Sequence, residues 1–216
     1  MDCAVFDLDG TLLDTLADIA SACNTVLAWH GYPQHPLEAY RQMVGNGFDR
    51  LVERAVPQDR KPDAGALAAL TLETRQYYAS HIMEFTRPYP GMPEALATLK
   101  DRGFRLGALS NKPDEMTREL IASFFPGVFA QVRGAMPDVP LKPDPQALLA
   151  MYAALGATRK AYVGDSNVDM QTAKNAQAYP VGVAWGFRGP AELAEAGAAV
   201  VLDSPAELAS LVIPVG

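Results

Sequence analysis

From about residue 88 to the end of the chain, short apolar runs with strand character alternate with helical runs, and this alternation limits the possible folds more than any other feature. Helical periodicity reads at about 92–102, 114–124, 144–155, 168–178, 190–196 and 205–212. The β-runs read at about 104–109, 129–134, 160–164, 180–184 and 199–202, punctuated by Gly103, Pro113, Gly127, Pro143, Gly156 and Pro205. Strands alternating with helices build a parallel sheet covered on both faces. The opening run, 2–7, has the composition of one more strand of that sheet. The expected class is therefore α/β.

The interval from about 15 to 85 breaks the pattern. It reads as helices without strands, at 17–30, 36–43, 48–56 and 64–83, separated by Gly31-Tyr32-Pro33, Gly45-Asn46-Gly47 and Pro57-Gln58-Asp59. Apolar positions three and four apart (Leu67, Leu70, Leu72, Tyr77, Tyr78, Ile82) carry the helical signal. A helical insert thus follows the first strand, and the chain returns through Arg87-Pro88-Tyr89-Pro90-Gly91.

Where the first apolar run ends, the sequence reads Val-Phe-Asp-Leu-Asp-Gly-Thr over residues 5–11. Residues two apart on a strand point the same way, so Asp7 and Asp9 leave the strand end close together. Like charges that close resist joint ionisation unless a cation or a shared proton intervenes. A hard cation such as Mg²⁺ takes oxygen ligands and keeps positions for water and phosphate. One carboxylate can then attack while the other handles protons. Gly10 allows close approach of the backbone to a ligand, and Thr11 offers a hydroxyl and an N–H at an expected helix start.

Three later segments combine strand-like and helical runs with polar residues. Arg105-Leu106-Gly107-Ala108-Leu109 leads into Ser110-Asn111-Lys112; Lys142 lies in Leu141-Lys142-Pro143-Asp144-Pro145 before a helical run; Ala161-Tyr162-Val163-Gly164 leads into Asp165-Ser166-Asn167-Val168-Asp169. Ligands of open α/β sheets bind beyond the carboxyl ends of the strands, so one sheet edge can collect all of these residues. Asp14 and Thr15 read as a hinge turn and a helix N-cap. His30, His35 and His81 have no ligand-like spacing and read as structural, as does the loop Trp185-Gly186-Phe187-Arg188-Gly189.

Taken together, the four motifs resemble the haloacid dehalogenase-like superfamily of Mg²⁺-dependent phosphatases, in the same order and across the full chain. The resemblance implies a Rossmann-like, haloacid dehalogenase-like core formed by 1–14 plus 86–216, with a small α-helical cap, 15–85, inserted after the first strand. It implies Mg²⁺ as cofactor, held by the Asp7 carboxylate, the Asp9 main-chain carbonyl and Asp165, with Asp169 orienting metal-bound water or Lys142. It makes Asp7 the nucleophile and Asp9 the proton donor and acceptor. Ser110 and the N–H of Asn111 would bind phosphoryl oxygens beside Gly10 and Thr11, while Lys142 would pair with Asp7 and the phosphate.

The loop Val44-Gly45-Asn46-Gly47, followed by Arg50 and Arg54 in helical register, and the segment Leu109–Pro113 are similar to the phosphoglycolate phosphatases of that superfamily. This implies 2-phosphoglycolate as substrate, with Asn46 and Arg50 toward its carboxylate. A pyrophosphatase or broad sugar phosphatase of the same superfamily remains an alternative, as does a non-catalytic phosphate-sensing or partner-binding relative. Mutases of the superfamily usually carry valine where this chain has Thr11. Phosphonate hydrolysis would need a lysine in the first part of the insert, and 15–60 contains none.

Composition adds exclusions. Lys and Arg number 18 against 25 Asp and Glu, a net charge of −7, and no basic run or basic helix face marks a nucleic-acid partner. Cys3 falls in the first strand-like run and Cys23 in a helical run, and both read as buried thiols of a reducing compartment rather than a disulfide. No apolar run approaches the roughly 18 residues of a membrane span. The chain begins one residue before a strand, which leaves no room for a signal peptide. The expectation is a soluble cytoplasmic protein, monomer or homodimer, acting on a small phosphorylated metabolite, with no membrane or nucleic-acid partner.

Overall fold

The computed structural model describes residues 1–214; Val215 and Gly216, the last two positions of the expected core, lie outside the described residues. The chain divides into two compact units, Met1–Asp14 with Pro88–Gly216, and Thr15–Arg87.

The first unit is an α/β core. Its strands are β1 (Asp2–Phe6), β2 (Arg105–Pro113), β3 (Gln131–Ala135), β4 (Arg159–Gly164), β5 (Tyr179–Val183) and β6 (Val200–Leu202). All neighbours pair in parallel, in the order β3-β2-β1-β4-β5-β6. β1 is central, so Cys3 to Phe6 are buried on both faces, which explains its continuous apolar run. Successive side chains go to opposite sides. Cys3 and Val5 join a core with Leu148, Met151, Tyr152 and Leu155 of the helix Gln146–Leu155, while Phe6 meets Phe129 edge-on at 6.2 Å. Strand order reverses between β1 and β4, and the crevice at such a switch point is where open α/β sheets bind ligands. Asp7 and Asp165 are the residues that follow these two strands.

Three local expectations are corrected. The second strand does not stop at 109 but runs to Pro113, so Ser110, Asn111 and Lys112 lie within it rather than past its end. The ladder to β3 shifts register after Leu109 and resumes at Pro113 opposite Ala135, which keeps this polar stretch extended. No helix starts at Thr11. The Leu8 carbonyl accepts N–H bonds from Thr11, Leu12 and Leu13, which closes a single turn, and the next helix begins at Leu16. Thr15 occupies the N-cap position of that helix without a side-chain cap bond. The last helical run is a 3₁₀ helix, Pro205–Ser210.

The second unit is helical: α1 (Leu16–Trp29), α2 (Leu37–Met43), α3 (Phe48–Ala55) and α4 (Ala64–Ser80). Its two ends are tied by one buried carboxylate. Asp18 accepts from the N–H groups of Phe85 and Thr86 and from the Thr86 hydroxyl, at 2.7–3.2 Å. Removing Asp18 would leave those buried donors unmatched, a cost of about 1–3 kcal/mol. The histidines are spoken for locally: His30 meets Glu73 at 2.8 Å, His35 the Ala55 carbonyl at 2.7 Å, and His81 stacks on Tyr77. Both cysteines are buried and free. No helix among the described residues is long and apolar enough to cross a membrane.

Candidate active site

The sheet edge at the β1/β4 crevice gathers four carboxylates and two lysines. Asp7 follows β1; its Oδ1 accepts the Leu8 N–H at 2.7 Å and faces the Lys142 ammonium at 2.8 Å. Lys142 Nζ also reaches Asp169 Oδ1 at 2.8 Å. Asp169 in turn belongs to a capping box on the helix Asn167–Asn175, where its Oδ2 accepts from the Ser166 hydroxyl (2.6 Å) and N–H (3.1 Å). Lys142 is held from behind by Asn111, whose Oδ1 accepts the Lys142 N–H at 2.9 Å and whose Nδ2 donates to the Lys142 carbonyl at 3.2 Å. One side chain therefore fixes the backbone of a residue 31 positions away and sets the direction of its ammonium.

Asp165 is packed against backbone on two sides. Gly10 has φ +79°, and a Cβ there would fall 2.2 Å from Asp165 Oδ2. A Cβ on Gly186 would fall 2.3 Å from the Asp165 Cβ. Only glycine fits either position. The close approach expected of Gly10 is thus to the protein's own carboxylate. The Phe187 N–H donates to Asp165 Oδ2 at 2.7 Å, and Trp185 Nε1 donates to the Thr11 carbonyl at 3.0 Å. The loop after β5, read from sequence as plain packing, therefore supports both Asp165 and the turn after β1. Its signal was a Trp-Gly pair at a strand end, too common to interpret alone. Thr11 is fully buried and its Oγ1 has no hydrogen-bond partner.

Asp7, Asp165 and Asp169 offer oxygen atoms within 4.8 Å of one another. Three carboxylates against one ammonium, Lys142, leave an excess of two negative charges when all are ionised. Burial drives the Asp7 carboxyl up to about 7, with Asp169 adding to the shift and Lys142 opposing it. Burial likewise raises Asp165 well above the usual carboxylate range, with Asp169 and Asp7 next in weight. Burial alone would lower Lys142, but Asp169 and Asp7 outweigh it and hold the ammonium protonated. A hard divalent cation supplies the missing charge, and an all-oxygen donor set suits one. The residues present fit such an ion.

Beside this cluster stands a second pair that sequence reasoning did not anticipate. Lys112 Nζ lies 2.6 Å from Asp9 Oδ1, and their side chains are 2% and 13% exposed. The Lys112 N–H donates to Ser110 Oγ at 3.1 Å. The two partners are 103 residues apart in the chain, so no local pattern announces them.

In the helical unit, the expected substrate contacts are engaged nearby. Arg50 pairs with Glu53 at 2.5 Å, and Asn46 Oδ1 accepts from Arg54, which also donates to the Met43 carbonyl at 2.8 Å.

Comparison with known proteins agrees with this architecture. The family model for haloacid dehalogenase-like hydrolases matches residues 4–183. The phosphoglycolate phosphatase of Pseudomonas syringae pv. syringae is 36% identical over 206 residues, covering 92% of this chain and 75% of its own. That of Mannheimia succiniciproducens is 31% identical and covers 96% of each. A crystal structure from Lactobacillus delbrueckii subsp. bulgaricus, provisionally named a phosphoglycolate phosphatase, superposes with a TM-score of 0.92 at 30% identity over 98% of each chain. The chain belongs to the haloacid dehalogenase-like hydrolases.

Proposed function

We propose that this protein hydrolyses 2-phosphoglycolate to glycolate and phosphate, with Mg²⁺, through an aspartyl phosphate on Asp7. It is a phosphatase of the haloacid dehalogenase-like family, a phosphoric monoester hydrolase; the substrate, the ion and the residue roles are the proposal. One observation carries the mechanism. Asp7 Oδ1 is anchored by the Leu8 N–H and by Lys142, and among the described residues no hydrogen bond reaches Oδ2. A carboxylate fixed by one oxygen presents the other in a defined direction, as a nucleophile requires.

In the first step Asp7 Oδ2 forms a bond to phosphorus while the ester P–O bond breaks. Asp9 delivers a proton to the departing glycolate oxygen. In the second step Asp9 takes a proton from water as that water attacks phosphorus, which returns the Asp7 carboxylate and releases phosphate. Asp9 is the most open of the paired site carboxylates, 13% exposed against 9% for Asp7 and none for Asp169, which suits a group that meets both leaving group and water. Lys142 and Ser110 offset charge on the phosphoryl oxygens, with the Asn111 and Thr11 main chain alongside. Mg²⁺ would be held by Asp7, Asp165 and the Asp9 carbonyl, with Asp169 in support, and would supply positive charge to the phosphoryl group. We assign the helical unit Thr15–Arg87 as the cap, with Asn46 and Arg50 contributing to substrate selection.

The relatives' names support the choice of 2-phosphoglycolate. A panel of phosphate esters assayed with purified protein tests it. The highest kcat/KM is expected on 2-phosphoglycolate, with activity lost in EDTA and restored by Mg²⁺. A clear preference for pyrophosphate or a sugar phosphate would overturn the substrate, and full turnover by metal-free protein in EDTA would overturn the ion.

A further inference from the structure

We infer that Lys112 is the residue that recognises the carboxylate of the substrate, so that selectivity for a carboxylate-bearing ester is built into the sheet edge itself. The inference rests on the phosphatase reading above and adds the group that reads the leaving half of the substrate.

A lysine side chain 2% exposed, paired to a carboxylate 13% exposed, has lost most of its hydration. Buried ion pairs rarely repay that loss in stability, and apolar replacements of similar volume are often neutral or better. Stability therefore gives little reason for Lys112. Its position gives a better one. The backbone of Lys112 is held at both ends, its N–H on Ser110 Oγ at 3.1 Å and its carbonyl accepting the Thr117 hydroxyl at 3.2 Å. The side chain ends 2.6 Å from Asp9 Oδ1.

Asp9 is the group proposed to protonate the ester oxygen, so in the bound complex that oxygen lies within hydrogen-bond reach of Asp9, about 2.6–3.2 Å. In 2-phosphoglycolate the carboxylate hangs on the same carbon as the ester oxygen. Its nearer oxygen can therefore lie on the order of 3 Å from the ester oxygen, again a hydrogen-bond length. Lys112 Nζ, Asp9, the ester oxygen and the substrate carboxylate then close a compact loop in which three edges are hydrogen bonds and the fourth is the substrate's own O–C–C–O span. An ammonium has three donors, so one lysine can serve more than one acceptor at once. Lys142 is already committed to Asp7 and Asp169.

The test is a ratio. Discrimination is kcat/KM for 2-phosphoglycolate divided by kcat/KM for ethyl phosphate, which has the same ester oxygen and carbon but a methyl in place of the carboxylate. Any effect of Lys112 on Asp9 or on the phosphoryl group enters both terms and cancels. Lys112→Met should lower the ratio about 10- to 150-fold, the loss expected for one charge-assisted hydrogen bond. Lys112→Arg should recover part of it, and circular dichroism checks that each variant is folded. As a readout without turnover, titration calorimetry with Mg²⁺ present should show 3-phosphonopropionate losing affinity for Lys112→Met while propylphosphonate keeps its own. If Lys112→Met fails to fold, Lys112→Gln and the Lys112→Arg comparison carry the same ratio. A ratio unchanged from a wild type that favours 2-phosphoglycolate overturns the inference and leaves the function intact. A wild type that favours some other carboxylate-bearing ester, and loses that preference in Lys112→Met, overturns the proposed substrate and keeps the inference. A wild type indifferent to the carboxylate overturns both.

Discussion

The sheet edge and the helix α3 both carry charged residues, but they hold them in opposite ways. At the sheet edge, Asp169, Lys112, Lys142, Asp7 and Asp9 have side chains 0%, 2%, 3%, 9% and 13% exposed. They interlock across β1, β2, the Lys142 loop and the helix Asn167–Asn175, and each position depends on another far away in sequence. In α3, Arg50 is 64% exposed and pairs with Glu53 three residues on, while Arg54 folds back on Asn46 and Met43. The first arrangement is stiff and desolvated, where a charge acts strongly and cannot relax. The second is hydrated and local, where one partner is easily exchanged for another. Chemistry belongs with the first kind, and adjustable selection with the second.

The largest effect expected from this contrast is at Asp7. Asp7→Asn cannot form an acyl phosphate, so kcat should fall by more than about 1,000-fold, roughly 4 kcal/mol in the barrier. The fold should survive, because the change removes one of three crowded carboxylates. Retention of a tenth of wild-type kcat would break the comparison at its strong end and remove Asp7 as nucleophile.

A smaller effect links the buried cluster to pH. The folded-state value of Asp7, about 7, lies above its ordinary 3.8, so the metal-free fold favours the protonated form. That contribution to stability is full below the ordinary value and is lost as pH rises through about 7. A cation needs the carboxylates ionised, so its binding competes with these protons. The rise in melting temperature produced by Mg²⁺ should therefore grow between pH 6 and pH 8, read by differential scanning fluorimetry. Asp165, also raised by burial, acts in the same direction. A rise independent of pH would mean that the carboxylates are already ionised in the metal-free protein.

What the sequence disclosed follows the same division between local and distant causes. The sheet was legible because each strand is a short apolar run and each helix keeps its own periodicity. Asp7, Asp165 and Lys142 were legible because they fall beside strand and helix ends, where the fold places ligands. Ser110, Asn111 and Lys112 were placed past a strand end because polar residues seldom continue a strand. The Lys112 side chain goes to Asp9 and that of Asn111 to Lys142, and the ladder to β3 resumes only at Pro113. The clamp of Asn111 on Lys142, the Lys112–Asp9 pair and the Phe187 bond to Asp165 all join residues distant in sequence. Spacing cannot show them, since each exists only once the sheet has formed. Thr11 was placed at a helix start because Gly-Thr after a strand often opens one; here Leu8 draws the chain into a single turn instead.

The smallest effect is the one that most sharpens the comparison. Arg50 was expected from sequence to meet the substrate's carboxylate, yet in the structure it is an exposed guanidinium with a partner on its own helix. A contact with substrate from this exposed position, already neutralised by Glu53, gains little. Arg50→Ala should therefore raise KM for 2-phosphoglycolate by no more than about fivefold with kcat unchanged, and should leave ethyl phosphate alone. Steady-state kinetics on the two esters reads this directly. If Arg50→Ala instead costs two orders of magnitude on 2-phosphoglycolate and nothing on ethyl phosphate, carboxylate recognition belongs to the helical unit. Lys112 would then be a positioning residue for Asp9. Weak loss at Arg50 beside strong loss of discrimination at Lys112 would instead put both the chemistry and the main selectivity on the sheet edge.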